Sequence, residues 1–392
     1  FVVEGPDPLP VSGASTESVA LAFMFLHNVL PGLIAWYLPV ALAFGLVGWN
    51  GPVKVSTMLE PVLDRDSHGR LFWVVDLAAL VAIIGGGVTS LGLLERQVAA
   101  LAAGVFRVDT TLVSVGVFAL AGLFFVADVY VGLDRGIRTV ANVTVVIVSL
   151  LMAALLVLGP TLFILEFTIG AVGVWLDNMF RMMLYIEPFG HQAADGFELP
   201  WAHSWTGFWW AWWAAFAMVI GTFVARVSRG RTVRQVFVVF AILPAIFLVI
   251  QHGILGGLAL APGNVDAVTG AYEADGAPAA LTAVVLALPF SEVFGALFVV
   301  ALGGYVITSV DSVTYIIAAV NTNRTDPNVR NRMAWVALTL ILGTTTIAVQ
   351  GTEALQAFAP AFALPFTVVL LAIVYSLAVY ARREYPRDAS GG

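Results

Sequence analysis

Residues 204–235 read SWTGFWWAWWAAFAMVIGTFVARVSRGRTVRQ. The stretch opens with tryptophans, continues as an apolar run and closes on Arg226, Arg229, Arg231 and Arg234. A hydrocarbon core of ~30 Å takes roughly 20 apolar residues in helical form. Basic residues collect on the cytoplasmic side of such spans. The stretch therefore reads as one membrane-crossing helix that enters at its tryptophan end and leaves at its arginines. Lipid offers no partners to backbone N–H and C=O groups, so a chain built of such segments folds as an all-α integral membrane bundle.

The rest of the chain fits that reading. Of 392 residues, 60% are hydrophobic and 11% are charged. Soluble domains carry about 25% charged residues, so a soluble fold is excluded. Nine spans are expected, at about 18–48, 71–103, 110–128, 136–168, 204–227, 233–260, 288–320, 331–349 and 357–381. Kinks are expected at Pro31 and Pro39, at Pro244, and at Pro360 and Pro365, because proline removes a backbone donor and crowds the preceding turn. Loops 49–70, 129–138, 226–234 and 321–332 and the tail after 381 hold fifteen of the 18 basic residues. The positive-inside rule places these five segments in the cytoplasm and loop 261–279, with Asp266, Glu273 and Asp275, outside. The reading is a multi-pass protein of the plasma membrane. Residues 169–186 carry Asp177 and Arg181 on one helical face and read as an interfacial amphipathic helix on the outer side. A short tenth span is the competing reading.

Several chemistries are excluded. There is no cysteine, hence no disulfide, thiolate metal site or Cys nucleophile. The five histidines are scattered without metal-ligand spacing, and no Ser/His/Asp order or phosphate-cradling glycine loop stands out. No enzyme, no cofactor and no nucleic-acid partner are expected.

Trp209, Trp212, Trp213 and Phe216 recur at i, i+3, i+4 and i+7, which places them on one helix face. A quaternary ammonium group has no hydrogen to donate. It is held by the negative faces of aromatic rings, most strongly by tryptophan. The stripe reads as a cage for a methylated cation inside the membrane. The bland reading is a set of interfacial anchors, but such belts spread over several helix ends, whereas this one continues deep into a single span.

The same stretch carries a resemblance. WT-x-x-WWAWW followed by ARVSRGRT is similar to the signature of the betaine/carnitine/choline transporter (BCCT) family. GLDRGIRTVANV at 132–143, GPTLFIL at 159–165, TSLGL at 89–93 and ITSVDS at 307–312 resemble further family stretches. The resemblance implies a leucine-transporter-like inverted-repeat helical bundle whose first repeat is incomplete here. Residues 1–168 would form a partial first inverted repeat, 169–203 the interfacial helix and outer loop, 204–381 the second inverted repeat, and 382–392 a short cytoplasmic tail. Residues 1–8, FVVEGPDP, resemble the end of the helix whose backbone lines the family's substrate and ion sites.

Position by position, Trp212, Trp213 and Phe216 fall on the family's substrate cage, and Trp209 stands where the signature has tyrosine. Trp36, in LHNVLPGLIAW at 26–36, falls on a second aromatic position, while Asn28 and Leu33 replace two tryptophans. Thr308 and Ser309 match hydroxyls of a sodium site, and hard cations favour oxygen ligands. Such hydroxyls can instead bond back to the i−4 carbonyl. A second sodium site is not expected, because its two threonines are Ile83 and Gly87 here. Thr144 stands where sodium-independent exchangers have arginine. The resemblance thus implies a secondary transporter for glycine betaine, choline or carnitine in the lipid bilayer, with sodium as coupling ion and a homotrimer as its assembly. The readings weighed against it are a truncated membrane sensor that no longer transports and an amino-acid symporter of the same fold. A gating salt bridge from the Arg229–Arg231 segment to Asp134 or another acidic loop residue is a weaker expectation. Asp76, Glu95, Arg96 and Asp311 are intramembrane charges and functional candidates on that ground. Asp311 is read as satisfying donors near the ion site, and Glu95 and Arg96 as pointing about 100° apart.

Overall fold

The computed structural model describes residues 11–48, 54–131, 134–186, 192–193, 196–197, 201–324 and 327–385. Residues 1–8 and most of the tail, on which part of the expected division rests, lie outside them. The protein is an all-α, multi-pass integral membrane protein. Among the described residues, nine helices are long and apolar enough to cross a bilayer.

Helix α1 (Thr16–Gly48) starts on Ser15, whose side chain accepts from Ser18 N at 3.2 Å. It is α-helical to His27 and then π-helical from Asn28 to Tyr37, around Pro31. A proline cannot donate to the ladder, and the wider turn absorbs the missing bond. Helices α2 (Gly69–Phe106), α3 (Thr110–Val131) and α4 (Asp134–Leu158) follow.

Two expectations change next. The span expected at 136–168 breaks at Gly159 and Pro160, and α5 runs from Thr161 to Met183. The expected boundary at 168 is therefore inside a helix. The interfacial segment 169–186 belongs to α5, which itself meets the length and apolarity of a span with mean hydropathy 1.4. A two-residue antiparallel pairing, Gln192–Ala193 with Gly196–Phe197, precedes α6 (Ala202–Val227).

Helix α7 (Val233–Leu260) has a π-helical stretch, Val238–Ile242, just before Pro244. The outer loop expected at 261–279 is largely helical, as α8 (Val265–Leu286). Its break is at Asp275 and Gly276, where Gly276 has φ +73°, a conformation open to glycine at no steric cost. Helix α9 is Ser291–Thr322, and α10, Val329–Glu384, joins the spans expected at 331–349 and 357–381.

Helix α2 is the centre of the bundle. Three consecutive glycines bring it against three different helices. A Cβ at Gly85 would lie 2.6 Å from Phe362 of α10, one at Gly86 would lie 2.5 Å from Ala215 of α6, and one at Gly87 would lie 2.7 Å from Val313 of α9. Small residues let backbones approach this closely in lipid, where packing rather than water exclusion drives association. The buried core gathers Tyr37, Met58, Ile83, Met218, Ile317 and Phe366 from α1, the segment after it, α2, α6, α9 and α10. Leucines and valines such as Leu112, Val157 and Val368 point outward, as lipid-facing positions do.

Candidate functional site

The tryptophan face of α6 turns inward. Trp212 donates its indole N–H to Ser90 Oγ of α2 at 2.9 Å. Trp213 lies over Gly32 of α1, where a Cβ would come within 2.6 Å of its ring. Trp213 also meets the Tyr37 ring edge-on, at 5.3 Å between centroids and 67° between planes. These contacts fix two indoles in place. Rigid preorganised rings cost a ligand less to engage than mobile ones.

A cavity of about 390 Å³ opens between these elements. Trp212, Trp213 and Phe216 of α6 line it together with Tyr37 of α1 and Tyr305 of α9. Ser90 and Gln97 of α2 and Ser309 of α9 supply its polar groups. Among the described residues, no Asp, Glu, Lys or Arg lines it. Small-molecule sites typically occupy ~300–1,000 Å³, with apolar walls and a few placed polar groups. Ring faces can hold a cation here, and hydroxyl and amide groups can orient a polar tail.

The remaining expected residues are placed less directly. Trp209 backs the wall, with ring centroids 5.2 Å from Trp212, 6.1 Å from Trp213 and 6.3 Å from His27. It is not among the lining residues. Trp36 is 5% exposed, donates to Trp210 O at 3.2 Å and meets the Trp210 ring edge-on. It pins α1 to α6, and its neighbour Tyr37 is the residue that lines the cavity. Ser309 lines the cavity, whereas Thr308 bonds back to Gly304 O at 2.9 Å. Asn28 donates to Met24 O at 2.8 Å, and Leu33 is buried in the core.

Sequence reasoning missed Tyr37, Ser90, Gln97 and Tyr305. The available signal was polar side chains interrupting apolar helices, although such residues also serve ordinary packing.

The intramembrane charges are mostly paired. Asp311 accepts from Arg332 Nη2 at 2.9 Å, so it neutralises an arginine. The same guanidinium lies 5.4 Å from the Phe125 ring and 5.7 Å from the Tyr315 ring. Arg226 donates to Tyr315 Oη at 2.6 Å. Asp76 accepts from both N and Oγ of Ser56 at 2.9 Å, with Lys54 Nζ at 3.8 Å. The side chain of Asp134, expected to pair with Arg231, lies outside the described residues.

Residues 5–386 match the family described as BCCT, betaine/carnitine/choline family transporter. The chain belongs to the BCCT family. The family is one of transporters, not enzymes. Glycine betaine transporter 1 of Vibrio parahaemolyticus is 31% identical over 399 residues, covering 96% of this chain and 72% of the relative. Glycine betaine transporter 2 of the same organism is 29% identical over 329 residues, covering 82% and 59%. Glycine betaine transporter OpuD of Bacillus subtilis is 29% identical over 365 residues, covering 91% and 69%. This BCCT chain thus spans about three-fifths to three-quarters of the length of these relatives.

Proposed function

We propose that the protein carrying this chain is a secondary active transporter of a quaternary-ammonium solute, with glycine betaine its first candidate substrate. The observation that carries the reading is the cavity walled by the rings of Trp212, Trp213, Phe216, Tyr37 and Tyr305, with no charged lining residue among the described ones. A trimethylammonium group cannot be satisfied by hydrogen bonds, and aromatic ring faces attract it. Ser90, Gln97 and Ser309 supply donors for a carboxylate tail, such as that of betaine or carnitine, or for the hydroxyl of choline. Three relatives named glycine betaine transporters support betaine among these.

Sodium is a candidate coupling ion. Thr308 and Ser309 are adjacent on α9, and an oxygen that donates its hydrogen to Gly304 O keeps lone pairs for a hard cation. The test is uptake of labelled glycine betaine, choline and carnitine by the full-length protein in liposomes, with and without a sodium gradient. The reading expects accumulation of at least one solute. No uptake of any of them would overturn it.

A further inference from the structure

Glu95 stands within α2 with 0% exposure, and among the described residues neither carboxylate oxygen has a hydrogen-bond partner. It follows Leu91 by four residues and so shares its face. Leu91 packs with Ala121 and Phe125 of α3, Val306 and Val310 of α9 and Val336 of α10. Apart from Ser114 of α3, the side chains on this face are therefore apolar.

The polar groups near this face do not neutralise a charge. Ser114 of α3 acts on the carboxyl without completing a hydrogen bond, and Arg96, the next residue, points about 100° away. On α3, Asp109 accepts from Leu112 N at 3.0 Å and caps its own helix. On α9 and α10, Asp311 and Arg332 pair with one another, and Tyr305 faces the cavity. An ionised carboxylate sealed among apolar side chains is strongly disfavoured, whereas the neutral acid is tolerated. Leu94, adjacent to Glu95, lines the cavity and also packs against the cluster around Leu91. The wall of the cavity and the surroundings of the carboxyl thus share one side chain on the central helix.

We propose that Glu95 is a proton-binding site and that solute movement through the cavity is linked to it. The proton enters from the side of higher acidity, is held on the Glu95 carboxyl while α2 is packed as here, and leaves on the other side when α2 shifts. The pH gradient supplies the proton and no other reactant is required. The linkage rests on the transport reading above, whereas proton binding by Glu95 does not.

Two measurements on the full-length protein separate these. Infrared spectroscopy of purified protein at neutral pH should show a protonated-carboxyl band that Glu95→Gln lacks and that Glu292→Gln, at an exposed position, retains. If Glu95→Gln leaves the carboxyl region unchanged, the proton site is overturned. In proteoliposomes, a gradient of about one pH unit supports up to about tenfold accumulation per proton. Wild type should respond to it, and Glu95→Gln should keep solute counterflow while losing the response. Glu95→Asp, which keeps a titratable group, should recover it in part. A Glu95→Gln protein that follows the gradient as wild type does would overturn the linkage. Absence of counterflow in wild type would sink the transport reading and the linkage together, with the infrared result still deciding the proton site.

Discussion

Trp212 Nε1 and Ser90 Oγ stand 2.9 Å apart, joining α6 to α2 in the wall of the central cavity. The bond sets the tilt of an indole that the proposed cation would face. Ser90→Ala leaves a part-buried N–H unpaired, which costs up to about 1–3 kcal/mol. If that cost falls on the bound state, affinity should drop about five- to a hundredfold. Calorimetric titration of the purified variant with glycine betaine checks this. An unchanged affinity would mean that Trp212 is held by packing alone.

Gly32 is the floor beneath Trp213. A methyl there would sit 2.6 Å from the ring and 2.7 Å from its neighbouring carbon, too close for either to stay. Gly32→Ala should displace the indole and weaken solute binding more than it lowers thermal stability. Gly170, where an added Cβ meets nothing within 4 Å, is the control, and Gly170→Ala should leave both readouts near wild type.

The Arg332–Asp311 pair is mostly withdrawn from solvent, with the two side chains 20% and 17% exposed. Breaking a buried pair strands one charge, at a cost of about 3–5 kcal/mol. Asp311→Asn should therefore lower the detergent melting temperature clearly. The double variant Asp311→Asn, Arg332→Gln should recover part of the loss. If the double variant is less stable than the sum of the singles, the pair is not the source of the effect.

Outside the membrane, Asp64 accepts from Ser67 Oγ at 2.6 Å and Ser67 N at 2.9 Å. The Ser67 side-chain bond first, then its backbone bond, holds the Asp64 carboxyl below its ordinary value of 3.8. A carboxyl depressed on folding stabilises the turn above its unfolded value and loses that contribution as pH falls through the folded one. Protection of the Ser67 amide, measured against its intrinsic exchange rate, should therefore persist at neutral pH and fall only in strong acid. In Asp64→Asn that protection should no longer change as pH falls through the carboxylate range.

The fold was legible where lipid dictates composition. Long apolar runs and alternating arginine loops placed the helices, because an unsatisfied backbone in hydrocarbon leaves few alternatives. Boundaries set by local backbone chemistry were less visible. The break at Gly159 and Pro160 sits inside a continuous apolar run, and α8 forms despite Asp266, Glu273 and Asp275. On the site side, period 3.6 located Trp212, Trp213 and Phe216 on one face, and all three line the cavity. Trp36 was expected from the family resemblance, and Tyr37 is the ring of that helix that lines the cavity. The π-helical stretch from Asn28 to Tyr37 changes the angle between successive side chains, so neighbouring positions there turn differently than in a regular α-helix. Ser90 and Gln97 on α2 and Tyr305 on α9 are far apart in the chain, and packing around the three glycines of α2 brings the two helices together.

The cation-binding claim is tested most directly by equilibrium binding of labelled glycine betaine to the purified full-length protein, with Trp212→Leu and Trp213→Leu alongside wild type. Leucine keeps apolar bulk and removes the ring face, which is worth about 2 kcal/mol or more to a desolvated cation. The account predicts saturable wild-type binding and at least about a tenfold loss in each variant. Both variants binding betaine as tightly as wild type would contradict it.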